Sequence, residues 1–588
     1  MLTVNSLRVR RLAVLAMVLF AACVGPPRRR QVIVIGWDGA DWQLLDELMA
    51  RGTMPELAGL VREGTSGALR TIHPPLSPIV WTTMMTGRAP LDHGVLDFTR
   101  FDPATRAREP IGSDERRVPA IWTIASSAGR SVAVFGMWAT YPAEQVKGII
   151  VSDRLMSFQN GAHPAAPRVV FPENRTRWTR DALARAENAA GEAALRAFAP
   201  DIAREPRLME GLRRVLVETA VYDDLATSWF RDQQPDLTIL YVQGTDAIGH
   251  LFAPYRPPRM RGVAEADVAS WGGAADVYYA EVDRRLGAWR RRAREAGATL
   301  VLVSDHGFYW GEGRPTAAGS SASATAGRWH RDDGIYVVAA PGIATADPKR
   351  GFGGVAQVAP TVLALLGIPP DRSMPPPLYG IGATPGTPAD YMASYRVPRA
   401  SGTPSDAPLA NDAIANLRSL GYIGAAEPDR APALQGSSTR TAGSFGNEGL
   451  ILLEAGRTDD AKAAFMRALQ VDPQHAASLW NLAQLLAHEG DEAADAVLLR
   501  AVAAGSQDAA RRVSDRARER MQAGNCRAAL DDVRAVAKAN PSLAVAPAAE
   551  GLALLCLGDR VGAASALRRS LAIDPDQPEV ARALDALR

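Results

Sequence analysis

Four glycines near the carboxyl end recur at a fixed interval, which constrains the fold of that region more than any other feature. Gly456, Gly490, Gly524 and Gly558 follow one another at intervals of 34 residues. A proline stands 17 residues after three of them, and Gln507 takes that place after Gly490. A period of this length indicates stacked units that cannot bury their apolar faces alone. We predict an all-helical array at residues 442–588, with repeats to about 577 and a capping helix from 578.

The first repeat resembles the tetratricopeptide repeat. Gly449, Ala461, Phe465, Ala468 and Pro473 fall where that repeat has its small, aromatic and terminating residues. Small residues let the two helices approach closely, and the proline ends each helix pair. The resemblance implies four repeats in a solenoid whose concave groove binds a protein or peptide. The alternative is an array with a purely structural role.

Two of the three cysteines lie in this array. Cys526 is expected to begin the second helix of the third repeat, and Cys556 to end the first helix of the fourth. Because neighbouring helices run antiparallel, the two thiols could form a disulfide in an oxidising compartment. The alternative is two small buried apolar side chains. Three cysteines exclude a disulfide scaffold and a Cys₄ zinc module.

The amino terminus is typical of an export signal. A segment with three arginines precedes a short apolar stretch at residues 12–22, and Cys23 follows. The apolar stretch is too short to span a bilayer well. We expect residues 1–22 to be a signal peptide and Cys23, in a segment that resembles a lipoprotein cleavage box, to be acylated. This predicts an exported, periplasmic lipoprotein anchored to the membrane, and cleavage near Ala22 without acylation is the alternative.

Composition indicates a globular chain of more than one domain. Of its 588 residues, 47% are hydrophobic and 22% are charged. The formal net charge of +2 gives no support to nucleic-acid binding. We predict an α/β domain at residues 31–395, a linker rich in Ser, Thr, Ala and Pro at 396–441, and the repeat array. Within the linker, the apolar segment 417–423 is expected to pack on the first domain.

The first domain alternates short apolar runs with helical segments. Continuous apolar runs are typical of strands buried on both faces of a parallel sheet. The runs lie at residues 32–35, 131–135, 148–151, 237–242, 299–303 and 334–338. We expect a mostly parallel sheet sandwiched by helices, with a helical insertion or cap beside the sheet at about 155–235 that has no clear strand.

Acidic residues directly follow three of these runs. Asp38, Asp246 and Asp305 come after the runs at 32–35, 237–242 and 299–303. Ligands bind at the carboxyl edge of an open α/β sheet, and a carboxylate there is costly unless it is solvated, paired or bound to a metal. His306 adjoins Asp305, and His250 lies four residues after Asp246, on the same face if this stretch is helical.

His330 completes the set, because it precedes the run at 334–338. Oxygen and imidazole ligands without thiolates suit Zn²⁺, and Mn²⁺ or iron less well. Each residue alone has a plainer explanation, such as a turn, a helix cap or a surface pair. Their shared sheet edge favours a metal site.

Ser77 is the candidate nucleophile. It lies 39 residues after Asp38, in a proline-rich turn before an apolar segment predicted to be a helix. A metal ion can activate a serine hydroxyl at neutral pH. The alternative is a helix N-cap. Thr82 and Thr83, further into the helix, are the competing hydroxyls.

Together these residues resemble the alkaline phosphatase superfamily, and within it the type I phosphodiesterase / nucleotide pyrophosphatase family. The resemblance covers about residues 31–395 and is best at 32–42, 77–94, 242–250, 301–307 and 329–336. It implies a phosphoric ester hydrolase with a phosphoester substrate and two zinc ions, with Mn²⁺ or another divalent metal as alternatives. The implied ligands are Asp246, His250 and His330 for one ion, and Asp38, Asp305 and His306 for the other, with Ser77 as the nucleophile on it.

The sequence departs from that family at the nucleophile. The asparagine usually found after the nucleophile is absent from the run at 77–80, and no arginine follows as sulfatases require. We expect backbone N–H groups after Ser77 to take the place of the asparagine. His93 matches a motif histidine and is expected to be structural. Trp138, Thr140 and Tyr141 are candidate pocket walls, or ordinary strand-end packing.

Two function classes follow. The first is a secreted, metal-dependent phosphodiesterase or phosphatase with a serine nucleophile and a repeat domain for protein binding. The alternative is a non-catalytic periplasmic scaffold in which the repeat array is the functional part. The metal content of the purified protein distinguishes them.

Overall fold

The protein is described by a computed structural model. It describes residues 30–157, 168–260, 262–311, 313–315, 326–340, 349–381, 386–396, 439–541 and 543–587, with short pieces of 411–431. The predicted signal peptide and Cys23 lie outside the described residues. Among the described helices, none is both long enough and apolar enough to cross a membrane.

In the described part of the first domain, nine strands form one mixed sheet. Across the sheet their order is β13 (Gly351–Gly354), β2 (Thr65–Arg70), β12 (Asp333–Ala339), β9 (Thr299–Val303), β1 (Val32–Trp37), β8 (Leu237–Val242), β5 (Val132–Phe135), β6 (Gly148–Val151) and β7 (Val170–Phe171). Two short pairs lie outside it, namely β3 (Thr99–Phe101) with β4 (Arg108–Pro110), and β10 (Gly307–Phe308) with β11 (His330–Arg331). All six predicted strands are present.

Helices cover both faces of the sheet, as predicted. Ile33 and Ile35 of β1 pack into one apolar layer, and Val32 and Val34 pack into the other. The helices of this domain are α1 (Trp42–Ala50), α2 (Pro55–Glu63), α3 (Ser77–Thr86), α4 (Pro90–His93), α5 (Ile121–Ser127), α6 (Thr176–Ala189), α7 (Glu192–Phe198), α8 (Pro206–Gln233), α9 (Gly244–Phe252), α10 (Glu265–Trp271), α11 (Ala274–Ala296) and α12 (Val358–Leu365).

The direction of each strand determines which of its ends lies at the edge of the sheet where the aspartates are predicted. Strands β9, β1, β8, β5 and β6 are parallel, so their carboxyl ends share one edge. Strand β12 is antiparallel to β9 and β2, whereas its apolar run had indicated a parallel strand. A continuous apolar run indicates that both faces of a strand are buried, but it does not indicate whether the strand is parallel or antiparallel to its neighbours. As a result, the segment before β12 arrives at the same edge.

The predicted helical insertion or cap contains one strand that was not expected. The short strand β7 lies within it and pairs antiparallel with β6. Helix α8 packs on the sheet, where the hydroxyl of Tyr222 donates to the carbonyl oxygen of Ser152 at 2.8 Å. This segment therefore extends the sheet and covers one of its faces.

The carboxyl-terminal region is the predicted helical array. Its helices are α13 (Ala442–Glu454), α14 (Thr458–Val471), α15 (Ala476–Glu489), α16 (Ala494–Ala503), α17 (Gln507–Gln522), α18 (Cys526–Ala539), α19 (Val545–Cys556), α20 (Arg560–Ile573) and α21 (Pro578–Asp585). The four periodic glycines have φ between +70° and +82°, at the turn between the helices of each pair. Glycine adopts this left-handed conformation readily, which explains the 34-residue period.

Cys526 and Cys556 form a disulfide in the structure. Cys526 is the first residue of α18, and Cys556 is the last residue of α19. Their Cα atoms are 5.8 Å apart, which is within the range of natural disulfides. The bridge therefore joins the third repeat to the fourth.

The first repeat packs directly on the α/β domain. Phe101 of β3 lies in a buried cluster with Phe445 of α13 and Val471 of α14. The side-chain amide of Asn447 donates to the carbonyl oxygen of Leu96 at 2.8 Å. Where it is described, the predicted linker also contacts this domain, because its apolar side chains are buried there.

Candidate metal centre

Three adjacent strands bring the three aspartates to one edge of the sheet. Asp38 directly follows β1, and Asp305 comes two residues after β9. Asp246 lies in the first turn of α9, which follows β8. Because β9, β1 and β8 are neighbours with the same direction, their ends meet, and all three carboxylates are fully buried.

The first cluster contains Asp38, Asp305, His306 and Ser77. Nε2 of His306 lies 3.4 Å from Oδ1 of Asp38 and 3.3 Å from Oδ2 of Asp305. The Ser77 hydroxyl lies 3.4 Å from the same Oδ1 of Asp38. The four side chains therefore converge on one small volume at the start of α3.

The second cluster contains Asp246, His250 and His330. Asp246 and His250 lie four residues apart on α9, and Oδ2 of Asp246 is 3.2 Å from Nε2 of His250. Nε2 of His330, on β11, lies 3.3 Å from Oδ1 of Asp246 and 3.2 Å from Nε2 of His250. The imidazoles of His306 and His330 stack at 3.7 Å, so the two clusters adjoin.

These separations fit metal coordination. Ligand atoms about 2.0–2.1 Å from a tetrahedral zinc ion lie about 3.3 Å from each other. Two sets of three residues each offer ligand atoms that lie within 4.8 Å of one another inside the set. One set is Asp38, Asp305 and His306, and the other is Asp246, His306 and His330. Oδ1 of Asp246, Oδ2 of Asp305 and Nε2 of His306 are buried without a hydrogen-bond partner. Buried polar atoms of this kind need a partner, and a cation would supply it.

Backbone contacts fix how two of the histidines face the clusters. Nδ1 of His330 lies 2.7 Å from the carbonyl oxygen of Pro75, and Nδ1 of His306 lies 3.1 Å from that of Gly307. A carbonyl oxygen can only accept a hydrogen bond, so Nδ1 carries the hydrogen in each ring. Nε2 is then the free base that faces the carboxylates.

The electrostatics of the first cluster favour a bound cation. Burial, and then repulsion by Asp246, raises the pKa of Asp38 to about 7. Burial and then Asp38 raise the pKa of Asp305 well above its usual range. Burial, and then His330, holds the pKa of His306 well below its usual value. A divalent cation would relieve the carboxylate repulsion and suits a neutral imidazole.

Ser77 is the first residue of α3, and it does not act as the helix cap. Leu76 holds the N-cap position, with no side-chain capping bond. The Ser77 hydroxyl donates to Asp38 instead. The competing hydroxyls are engaged within the helix, since Thr82 donates to the carbonyl oxygen of Pro78 at 2.6 Å and Thr83 to that of Ile79 at 3.0 Å. Among these three, Ser77 alone faces the clusters.

Comparison with known proteins identifies the family. The profile described as "Type I phosphodiesterase / nucleotide pyrophosphatase" matches residues 32–349, which is more than half of the chain. The chain belongs to the type I phosphodiesterase / nucleotide pyrophosphatase family. Membership of this family indicates a hydrolase, and all seven predicted site residues lie within the matched range. A tetratricopeptide repeat profile matches residues 447–509 and 514–578.

Solved structures with similarity to this phosphodiesterase-family chain are distant. Phosphonoacetate hydrolase from Sinorhizobium meliloti 1021, in complex with phosphonoformate, is 17% identical over 48% of this chain and 57% of its own, with a TM-score of 0.30. Human ectonucleotide pyrophosphatase / phosphodiesterase 5 is 13% identical over 59% of this chain and 96% of its own, with a TM-score of 0.35. A 2-O GAG sulfatase is 13% identical over 61% and 74%, with a TM-score of 0.38.

This chain spans less than two thirds of the phosphonoacetate hydrolase structures that it matches, 57% of one and 60% of the other. No curated protein sequence matches the chain.

The backbone after Ser77 does not replace the asparagine that this phosphodiesterase-family chain lacks. Pro78 has no N–H group. The N–H groups of Ile79 and Val80 donate to the carbonyl oxygen of Leu76 at 2.9 and 3.0 Å. The expectation that these N–H groups bind the phosphoryl oxygen is therefore wrong. Pro78 has no N–H to offer, and the N–H groups of Ile79 and Val80 are already hydrogen-bonded within the first turn of the helix.

Two tyrosines at the site were not predicted. The hydroxyl of Tyr241, on β8, donates to Oδ2 of Asp38. The hydroxyl of Tyr422, from the predicted linker, donates to Oδ2 of Asp246. Tyr241 lies within an apolar run and is indistinguishable there from a core aromatic residue. The apolar character of 417–423 was the signal for Tyr422, although it indicated packing rather than contact with the site.

The remaining candidates lie at different distances from the clusters. The indole N–H of Trp138 donates to the hydroxyl of Tyr241 at 2.7 Å, so Trp138 supports the site indirectly. Thr140 donates to the carbonyl oxygen of Met137 at 2.6 Å, and the ring of Tyr141 lies 4.3 Å from the guanidinium of Arg154. These contacts of Thr140 and Tyr141 are local packing.

His93 has the structural setting that we expected. Its Nε2 lies 2.9 Å from the hydroxyl of Thr83, and its Nδ1 accepts the N–H of Val95 at 3.2 Å. The side chain is fully buried between α3 and the segment that follows α4. It therefore ties the helix that carries Ser77 to the next part of the chain.

Proposed function

We propose that this hydrolase is a metal-dependent phosphodiesterase or phosphatase in which Ser77 is the nucleophile. The observation that carries the proposal is the 3.4 Å separation between the Ser77 hydroxyl and Oδ1 of Asp38, inside a cluster whose spacing fits a tetrahedral metal. The substrate would be a phosphoester, since the family hydrolyses such bonds.

We propose two divalent ions, with Zn²⁺ favoured by the imidazole and carboxylate ligands. One would be held by Asp38, Asp305 and His306 beside Ser77, and the other by Asp246, His250 and His330. When bound, such ions act as Lewis acids toward a phosphoryl group and make a coordinated hydroxyl more acidic.

The chain's own residues position the nucleophile. Helix α3 holds Ser77 at its first turn, and the hydrogen bond to Asp38 directs its hydroxyl into the cluster. Oγ of Ser77 attacks phosphorus in line with the leaving alkoxide, and the bond from Oγ to phosphorus forms as the bond from phosphorus to the leaving oxygen breaks. The proton that Ser77 releases balances the proton that the alkoxide takes up to leave as an alcohol. Water then hydrolyses the phosphoseryl ester and restores Ser77.

The test is a panel of aryl phosphate monoester, diester and sulfate substrates, with Zn²⁺ or Mn²⁺ added to protein freed of metal. We expect phosphoester hydrolysis that requires the added metal, a metal content near two ions per chain, and no sulfate turnover. Metal-independent hydrolysis, or a chain that binds no metal, would contradict the proposal. The second result would favour the scaffold alternative.

We also propose that the chain is exported and attached to a membrane through Cys23. The disulfide between Cys526 and Cys556 supports this proposal, because disulfides persist in oxidising compartments. The test is cell fractionation of wild type and Cys23→Ser. The wild type should be found with membranes and the variant in the soluble periplasmic fraction. Wild-type protein in the cytosol would contradict export.

For the repeat array we propose a protein or peptide ligand in its concave groove. Support comes from the repeat family itself, whose grooves commonly bind peptides. The test is crosslinking in intact cells. It compares the full chain with a variant of the full chain in which the surface charges of the groove are reversed. A partner captured equally by both proteins would contradict it.

A further inference from the structure

Tyr422 contacts the second cluster, although it lies outside residues 32–349, which the family profile matches. It lies 176 residues after Asp246, and its hydroxyl donates to Oδ2 of that residue. Its ring packs edge-on against the His250 imidazole, with ring centroids 5.3 Å apart, and lies tilted against the Phe98 ring, with centroids 4.5 Å apart. The side chain is buried, so these contacts hold it on three sides.

The contact fixes the orientation of the Asp246 carboxylate, whose Oδ2 also lies 3.2 Å from Nε2 of His250. Oδ2 accepts the phenol, whereas Oδ1 has no hydrogen-bond partner and lies 3.3 Å from Nε2 of His330. A carboxylate held at one oxygen cannot rotate freely about its terminal bond. Partners of this kind orient metal ligands and raise metal affinity.

The other two aspartates are held in the same way. Tyr241 donates to Oδ2 of Asp38, and Oδ1 of Asp38 then faces Ser77 and His306. The N–H of Gly39 donates to Oδ1 of Asp305 at 3.2 Å, which leaves Oδ2 facing His306. The sheet and the segment after β1 supply these two partners, whereas the third comes from the chain beyond residue 396.

The segment that carries Tyr422 is attached to the α/β domain on both sides. The N–H of Tyr422 donates to the carbonyl oxygen of Leu417 at 2.9 Å, and Leu417 and Ile423 are buried around Phe98. Further along, the N–H of Arg108 donates to the carbonyl oxygen of Asp429 at 2.7 Å. The phenol is therefore placed by the fold and is not at the end of a free tether.

We infer that Tyr422 is a positioning residue of this site, which orients Asp246 toward a metal ion through its phenol hydroxyl. The inference rests on the proposed function for its catalytic consequence, but its direct effect is on metal binding. It makes the segment between the α/β domain and the repeats a part of the active site.

The test compares Zn²⁺ affinity among full-length variants freed of metal, by competition with a chromophoric chelator. We expect Tyr422→Phe to bind at least one of its Zn²⁺ ions about 10–100-fold more weakly than wild type. Tyr391→Phe is the matched control, because its hydroxyl donates to the carbonyl oxygen of Pro369 at 2.9 Å, away from the clusters. This control should bind Zn²⁺ as wild type does.

Three further measurements separate orientation from folding. The far-ultraviolet circular dichroism of metal-free Tyr422→Phe should match that of metal-free wild type, because the aromatic ring that packs on His250 and Phe98 is retained. Phe98→Leu, which removes the ring that packs on Tyr422, should weaken Zn²⁺ binding less than Tyr422→Phe. At saturating Zn²⁺, Tyr422→Phe should regain most of the wild-type kcat.

Wild-type Zn²⁺ affinity in Tyr422→Phe would overturn the inference. So would a rise in kcat/KM, which would show that the phenol blocks the site instead of supporting it. If wild type hydrolyses no phosphoester but Tyr422→Phe still binds Zn²⁺ more weakly, the proposed function fails and the positioning role stands.

Discussion

The hydroxyl oxygen of Ser77 lies 3.4 Å from Oδ1 of Asp38, although 39 residues separate the two in the chain. Asp38 directly follows the strand β1, and α3 begins at Ser77, so one sheet edge and one helix start meet at this contact. Ser77→Ala should retain fold and metal and lose at least about a hundredfold in phosphoester turnover, because a covalent step is removed. The measurement is steady-state hydrolysis of an aryl phosphodiester at matched metal loading.

Two companion variants sharpen that experiment. Ser77→Thr should keep part of the activity, because it retains a hydroxyl at the same position. Thr82→Ala removes a hydroxyl five residues along the same helix, whose bond is to the carbonyl oxygen of Pro78, and it should remain within a few-fold of wild type. Wild-type rates in Ser77→Ala would exclude Ser77 as the nucleophile.

Removing one imidazole should empty one cluster and leave the other. His250→Ala should bind one ion fewer than wild type and lose most of its activity, while its far-ultraviolet circular dichroism is unchanged. The large sheet, whose core is apolar, maintains the fold without the metal. Elemental analysis of the purified protein measures the loss, with His488→Ala on an exposed part of α15 as the control. Retention of both metals with full activity would refute the ligand assignment.

The disulfide should stabilise the end of the repeat array. Its two cysteines are 30 residues apart, and closing a loop of this size stabilises a fold by about 3.7 kcal/mol in the chain-entropy estimate. Replacing both Cys526 and Cys556 by serine should therefore lower the urea midpoint of the array. Wild type treated with a reductant should unfold like this double variant. Identical midpoints with and without reductant would show that the bridge contributes nothing.

Acid should destabilise the α/β domain through His93. Burial, and then the charges of Arg116 and Arg117, lowers the pKa of His93 to about 3. In the unfolded chain this histidine takes up a proton near its usual pKa of about 6.5. The stabilising contribution is therefore complete above about pH 6.5 and is lost as the pH falls toward 3, by up to about 1.4 kcal/mol per pH unit.

Substitution isolates this effect from those of other buried groups. His93→Gln keeps a side chain that can donate and accept, and it does not ionise. Between pH 7 and pH 5 its free energy of unfolding should fall less steeply than that of wild type, measured by denaturant titration at each pH. Parallel slopes for the two proteins would show that His93 does not contribute to the acid sensitivity.

Sequence alone predicted the strands that carry the aspartates, because β1, β8 and β9 are continuous apolar runs. It missed β2 and β13, since Gly67 and the glycines of β13 interrupt the apolar pattern and both strands are partly exposed. The periodic glycines of the repeats were informative for a different reason. Each has a left-handed backbone conformation that residues with side chains rarely adopt. The position of each turn could therefore be predicted from the glycine itself.

The sequence indicated the candidate aspartate and histidine residues of the site because carboxylates and imidazoles are rare at buried strand ends. Their hydrogen-bond partners could not be found in the same way. Tyr241 and Tyr422 approach the aspartates across 203 and 176 residues of sequence, and neither spacing carries a pattern. Such pairs arise only from three-dimensional packing. The hydrogen bonds in the first turn, at Pro78 and Ile79, could not be predicted from the sequence either. They depend on which carbonyl oxygen accepts each backbone N–H in the folded chain.

The position of Tyr422 has a practical consequence for dividing this protein into parts. A shortened chain ending at residue 395, where composition suggests that the α/β domain ends, would retain all seven predicted site residues. It would nevertheless lack the hydroxyl that touches Asp246 and the apolar side chains around Phe98. A recombinant fragment of this kind would be an unreliable guide to the whole enzyme, and the natural cut for an isolated catalytic unit lies after residue 431, beyond the hydrogen bond from the N–H of Ala431 to the carbonyl oxygen of Arg106.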